Sequence, residues 1–133
     1  MKAVFADTYY YLALLNRDDD AHQRVVRLSE RMFAPTMTTT WVLTEVADAM
    51  AGVSQRGRFV AFLKLLRGDT AVAIVPASSE LFDLGMQLYT QRPDKDWSLT
   101  DCISFVVMKQ HSLTEALTAD RHFEQAGFKA LLR

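Results

Sequence analysis

Apolar positions in this chain fall into two patterns: short unbroken runs, and longer stretches with the three-to-four-residue spacing of a helix. Runs of the first kind predict strands at Lys2–Ala6, Met32–Pro35, Thr70–Val75, Glu115–Thr118 and Phe128–Leu132. The first stops at Asp7, and the β-branched third stops at Pro76. Helices are predicted between them. One runs from Tyr9 to Leu15, entered through Asp7 or Thr8. Ala21–Arg31 sets Val25, Val26 and Leu28 among Arg24, Arg27 and Arg31, an amphipathic pattern. Thr38, Thr39 and Thr40 offer N-caps for a helix through Met50, and Arg58–Arg67 follows the break at Gly52–Gly57. A helix capped by Ser78 or Ser79 reaches about Gln91, with Leu81, Leu84 and Leu88 on one stripe. Asp120 caps a short helix through Ala126, ended by Gly127. Strands alternating with helices, without a hairpin signature, predict an α/β fold in three layers, a central parallel sheet of four to five strands flanked by helices. No repeat, linker or low-complexity tract divides residues 1–133, so one domain is expected.

The stretch from Trp97 to Met108 departs from the surface-helix pattern, being apolar almost all the way round from Leu99 onward, which predicts burial. Ser98 followed three residues later by Asp101 is a capping-box start. A cap alone accounts for Asp101, yet three other acids sit beside apolar elements: Asp7, Glu45 and Asp120. Asp7 and Asp120 end predicted strands, Glu45 lies on the helix after the second strand, and Asp101 opens the helix that precedes the strand carrying Asp120. In open α/β sheets, ligands bind beyond the carboxyl ends of the strands, so all four can face one edge. Asp48, one turn beyond Glu45, is expected to face solvent.

Four converging carboxylates repel one another unless a cation joins them. Oxygen-only ligands favour a hard ion, Mg²⁺ or Mn²⁺. His22, His111 and His122 are dispersed and neither HExxH nor CxxC occurs, which argues against zinc. Such a centre suits phosphodiester hydrolysis by metal-activated water. Thr8, Ser98 and Thr100 are candidates to orient the carboxylates.

Composition narrows the partners. Half the residues are hydrophobic and 23% are charged, which excludes a disordered chain. A net charge of −1 excludes a uniformly basic nucleic-acid coat but leaves room for a local patch. Two candidate patches are Arg56, Arg58, Lys64 and Arg67, and Arg92 with Lys95. Among the aromatic residues, Phe59, Phe62 and Tyr9–Tyr11 are candidates for base stacking, against a core or interface role. The single cysteine, Cys102, has no disulfide partner in the chain and is expected to be a buried thiol. No apolar run approaches the ~18 residues of a membrane span. Asp7 also interrupts the first run before a signal-peptide core forms, so a soluble, cytoplasmic chain is expected.

Competing chemistries fail on residues. Arg17-Asp18-Asp19-Asp20 lacks the alternating ligands, glycine and terminal glutamate of an EF-hand. Asp7-Thr8-Tyr9 is not the DxD of a haloacid-dehalogenase-type phosphatase. Val75-Pro76-Ala77 stands where a response-regulator receiver needs an aspartate, and no P-loop occurs.

Taken together, Val4-Phe5-Ala6-Asp7-Thr8, Tyr11–Asn16, the Thr39, Val42, Glu45 spacing, Trp97-Ser98-Leu99-Thr100-Asp101-Cys102 and Leu117–Phe123 resemble a PIN-domain ribonuclease, most closely the VapC-type toxins of bacterial toxin–antitoxin pairs. The resemblance spans essentially the whole chain. It implies that Asp7, Glu45, Asp101 and Asp120 are a catalytic, metal-binding quartet, and that the activity is a Mg²⁺- or Mn²⁺-dependent endoribonuclease acting on tRNA, rRNA or mRNA. A homodimer and inhibition by a VapB-type antitoxin are also implied, the antitoxin lying in an apolar groove between the early helices and the Arg58–Arg67 helix. Tyr9 departs from the small polar residue of many relatives, and Asp96 is common in such loops, where it can assist the metal. The other readings are a non-catalytic PIN-like module that binds RNA or a partner, and a nuclease for DNA ends or flaps, for which 133 residues leave little room.

Overall fold

The computed structural model describes residues 2–133. Its elements run β1 (Val4–Ala6), α1 (Thr8–Leu15), α2 (His22–Arg31), β2 (Thr36–Thr39), α3 (Thr40–Ala49), α4 (Arg56–Gly68), β3 (Val72–Val75), α5 (Ser79–Gln91), α6 (Leu99–Gln110), β4 (Glu115–Leu117), α7 (Arg121–Gln125) and β5 (Lys129–Ala130). The five strands form one sheet in the order β3-β2-β1-β4-β5, and every pairing is parallel. The expected α/β architecture is therefore present.

The first strand is central because its three residues, Val4, Phe5 and Ala6, are all buried and pair on both sides. The chain leaves β1 to build β2 and β3 on one side, then returns to build β4 and β5 on the other. That reversal opens a crevice beyond the carboxyl ends of β1 and β4. Register sharpens the point. Ala6 pairs with Leu117, so the residues that follow, Asp7 and Thr118, leave the sheet side by side.

The second strand lies four residues later than the apolar run Met32–Pro35 predicts. That run is instead the connection out of α2, with Phe33 82% exposed, and its Pro35 carbonyl accepts the Val4 N–H at 3.0 Å. The strand is formed by threonines, whose branched side chains suit a pleated sheet as well as a helix cap. Thr38 is fully buried and its hydroxyl donates to the Ala6 carbonyl at 2.9 Å, while Thr39 caps α3 by accepting the Val42 N–H at 3.1 Å.

Helix α6 is the buried element the apolar stretch predicts, hiding Cys102, Ile103, Ser104, Phe105, Val107 and Met108. Phe105 packs edge-on against both Trp97 and Phe123, at centroid distances of 5.0 Å in each case. Burying side chains of this size stabilises the fold by about 1.5–3 kcal/mol apiece. Helix α5 lies against α6 at Gly85, where a Cβ would overlap the Ile103 side chain. The Cys102 thiol is free and fully buried, and burial pushes its pKa up to about 11, so it is an inert packing group. No helix among the described residues is long and apolar enough to cross a membrane.

Candidate active site

Asp7 is the residue at which β1 becomes α1. Its backbone is extended (φ −96°, ψ 166°), it occupies the N-cap position, and its carboxylate makes no cap hydrogen bond. The side chain instead accepts from the Thr118 hydroxyl, Oγ1 to Oδ2, at 3.0 Å. Asp7 is only 6% exposed. Burial pushes its pKa up to about 7; the Thr8 N–H and the Thr118 hydroxyl oppose this, and the charges of Asp101 and Glu45 add to it.

Glu45 reaches the same place from the second turn of α3, half-buried, and accepts the Thr8 hydroxyl at 2.6 Å. Asp101 arrives on the first turn of α6 through a complete capping box. The Ser98 Oγ accepts the Asp101 N–H at 3.0 Å, and Asp101 Oδ2 accepts the Ser98 N–H at 3.2 Å. The same Oδ2 lies 3.0 Å from His122 Nδ1. The expected cap is thus present, and the same side chain lines the hollow. Burial raises its pKa above the ordinary value; the His122 and Ser98 bonds pull it back and Asp120 adds repulsion.

Asp120 caps α7, its Oδ1 accepting the His122 N–H at 2.9 Å, and its own N–H is held by Thr118 Oγ1 at 3.0 Å. Thr118 therefore touches both strand-end acids, donating to one and accepting from the main chain of the other. His122 Nδ1 is also 3.4 Å from Asp120 Oδ1.

All four expected acids line one hollow of about 480 Å³ at the β1–β4 crevice. Thr8, Asp96 and Ser98 line it too, together with Tyr9, Ala119 and His122. Thr100, on the first turn of α6, is not among the residues that line it. Asp48 is exposed, as expected of a solvent-facing charge. Within the hollow the tightest group is Asp101, Asp120 and His122, with one donor atom from each lying within 4.8 Å of the others. Asp7 and Glu45 stand outside that triplet but line the same hollow.

The donor set fits a divalent cation. Five carboxylates share the hollow, the four acids and Asp96, and no lysine or arginine among the described residues lines it to balance them. Asp101 and Asp120, bridged by His122, are the acids that lie closest together, while Asp7 and Glu45 line the same hollow and Glu45 accepts the Thr8 hydroxyl.

Two residues escaped the sequence reading. His122 looked isolated because the histidines are far apart along the chain, but it sits two positions after Asp120, on the first turn of the helix which that acid caps. Thr118 looked like an ordinary strand residue. The remaining candidates lie elsewhere. Arg56 and Arg58 are spent on main-chain carbonyls, those of Ala51 at 3.0 Å and Leu15 at 2.9 Å. Phe62 packs edge-on against Tyr11. The acids after Arg17 serve a turn, Asp19 Oδ1 accepting the Ala21 N–H at 2.9 Å.

Comparison with known proteins agrees with this picture. The family model described as the PIN domain matches residues 4–129. The chain is 26% identical over 125 residues to the 23S rRNA-specific endonuclease VapC20 of Mycobacterium tuberculosis, in both strain CDC 1551 and strain H37Rv, covering 94% of this chain and 95% of that protein. The crystal structure of VapC20, described as a sarcin–ricin-loop-cleaving toxin, superposes with a TM-score of 0.85 over 94% of this chain and 95% of that one. The FitAcB structure from Neisseria gonorrhoeae shares the fold at 17% identity, with a TM-score of 0.69 over 96% of this chain and 95% of that one.

Proposed function

This chain belongs to the PIN-domain family, and we propose that it is a metal-dependent endoribonuclease acting as the toxin of a toxin–antitoxin pair. The observation that carries the reading is the hollow at the β1–β4 crevice, where Asp7, Glu45, Asp101 and Asp120 meet without a lysine or arginine among the described residues. Likeness to VapC20 supports the substrate class and makes a structured rRNA loop the first RNA to try.

Mg²⁺ or Mn²⁺ bound here would supply positive charge for the phosphodiester and acidify a water for attack. The chain's own residues do the rest. Asp101 and Asp120 are held in place before any ligand arrives, one by its capping box and the other by its cap on α7. Thr118 fixes Asp7 relative to Asp120, and Thr8 fixes Glu45. His122 keeps the Asp101 and Asp120 carboxylates at a set separation. This is preorganisation: the donors spend little free energy on rearrangement when the ligand binds. Thr8, Ser98 and Asp96 serve as supporting groups at the rim, whereas Thr100 is given no such part.

The reading includes a homodimer and an antitoxin. A groove of about 490 Å³ between α1, the end of α2 and α4 suits the antitoxin, with Phe33 82% and Leu65 75% exposed along it. RNA as substrate places the action in the cytoplasm.

The test is a cleavage assay on total RNA, a sarcin–ricin-loop oligonucleotide, single-stranded DNA and duplex DNA, each with Mg²⁺, Mn²⁺ or EDTA. Asp101→Asn, purified in parallel, controls for contaminating nuclease. Discrete RNA fragments that require metal and vanish in the variant are expected. Cleavage confined to DNA would replace the substrate class, and identical behaviour of variant and parent would remove the catalytic claim.

A further inference from the structure

We propose that the hollow between α5 and the start of α6 is an RNA subsite, holding the nucleotide beside the scissile phosphate with its base against Tyr89 and its phosphate at Lys95. The inference rests on the endoribonuclease reading and adds where the substrate is gripped. This second hollow, of about 960 Å³, shares Asp96 and Ser98 with the carboxylate hollow, so the two form one continuous surface.

Their chemistries are complementary. The carboxylate wall repels a polyanion and carries no lysine or arginine among the described residues, so the grip on RNA has to come from a neighbouring surface. The α5–α6 hollow carries Arg92 and Lys95 together with Tyr89, an aromatic residue left 49% exposed. An exposed aromatic ring beside a phosphate-binding cation is the arrangement by which proteins hold a splayed nucleotide.

The two cations have different parts. Arg92 is clamped by Asp94, with Nε and Nη2 each 3.0 Å from a carboxylate oxygen, and its guanidinium lies 5.2 Å from the Trp97 ring centre. It stiffens the floor of the hollow. Lys95 makes no ion pair among the described residues and is the free charge for a phosphate. Trp97 is only 6% exposed and its indole N–H is held by Gln125 at 3.0 Å, so the stacking surface is Tyr89. Asp96, on the shared edge, pushes the phosphate toward Lys95.

The experiment measures binding of a fluorescein-labelled RNA hairpin with an unpaired loop, by anisotropy in the cleavage-deficient Asp101→Asn background, alongside KM and kcat in the otherwise unaltered chain. Tyr89→Ala is expected to weaken binding by tenfold or more, with Tyr89→Trp restoring it, because stacking tolerates any aromatic ring. Lys95→Ala is expected to weaken binding and to lower the slope of log K against log salt by roughly 0.7, one phosphate on a single strand. Both should raise KM and leave kcat within about twofold. Lys129→Ala, an exposed lysine on β5, is the control for unspecific charge. The proposal is overturned if Tyr89→Ala and Lys95→Ala bind within twofold of the parent, or if Lys129→Ala weakens binding as much as they do. Conversion of Tyr89→Ala from dimer to monomer with unchanged RNA affinity would likewise overturn it and assign the hollow to a second copy of the chain. Should the parent cleave no RNA, the endoribonuclease reading fails by itself, and the binding measurements still decide the subsite.

Discussion

The Thr118 hydroxyl donates to the Asp7 carboxylate across 3.0 Å, joining residues 111 positions apart in the chain. Both are buried, and the same hydroxyl oxygen accepts the Asp120 N–H. One side chain therefore ties the ends of β1 and β4 into a unit. Thr118→Val keeps the shape and removes both bonds. It should destabilise the chain by about 1–3 kcal/mol, the cost of leaving buried polar groups unpaired. Urea unfolding in EDTA measures this, and an unchanged midpoint would show that the bond is unimportant to the fold.

Asp7 makes the metal-free protein sensitive to pH. Its native pKa is raised from 3.8 to about 7, so between those values the folded chain keeps a proton that the unfolded chain has released. Stability from this group is full below about pH 4, falls as pH rises toward 7, and is flat above. The difference at pH 8 is up to roughly 4 kcal/mol, from about 1.4 kcal/mol per unit. Asp7→Asn should remove that slope and be the more stable protein at pH 8 in EDTA. Unfolding midpoints of the two chains from pH 4 to pH 8 provide the comparison; parallel curves would contradict the burial argument.

On the proposed metal-binding reading, the same proton competes with the cation. If Asp7 is a ligand, affinity for Mn²⁺ should rise with pH up to about 7 in the parent, because binding would expel its proton. Calorimetric titration in buffers of different ionisation enthalpy counts that proton directly. Release of none at pH 6 would mean that Asp7 does not take part.

His122 bridges Asp101 and Asp120 at 3.0 and 3.4 Å. Removing such an outer partner typically weakens a metal site by about 10–100-fold. His122→Ala should show this loss for Mn²⁺ by titration calorimetry, with the fold retained by circular dichroism. Tighter binding in the variant would instead mean that the His122 ring occupies the metal's place.

Gly85 sets the distance between α5 and α6. A Cβ there would overlap the side chain of Ile103, itself fully buried and stiff at its branch point. Overpacking of this kind costs about 1–3 kcal/mol. Alanine returns about 1 kcal/mol of helix propensity. Gly85→Ala should therefore be destabilised by up to about 2 kcal/mol, and a higher melting temperature would refute the close contact.

The strands, helices and caps were legible wherever their cause is local. The Ser98–Asp101 box, the Ser78 cap of α5 and the Asp120 cap of α7 follow from short polar side chains standing just ahead of helical spacing. The burial of α6 follows from its all-round apolar surface. The second strand was misplaced because threonine satisfies a sheet and a cap equally, and only pairing with Val4 and Phe5 on one side and Val72–Val75 on the other decides between them.

By itself, the sequence determined the α/β alternation and the polarity of its elements, because these depend on side-chain period and on neighbours within a turn, and it singled out four acids that line one hollow. Tertiary structure decided what the acids meet. The order β3-β2-β1-β4-β5 and the Ala6–Leu117 register bring Asp7 to Thr118, and α7 folds His122 back onto Asp101. Those contacts span 111 and 21 residues, and no local periodicity encodes them. They arise because a parallel sheet places all its carboxyl ends on one edge, and the crevice forms where the strand order reverses.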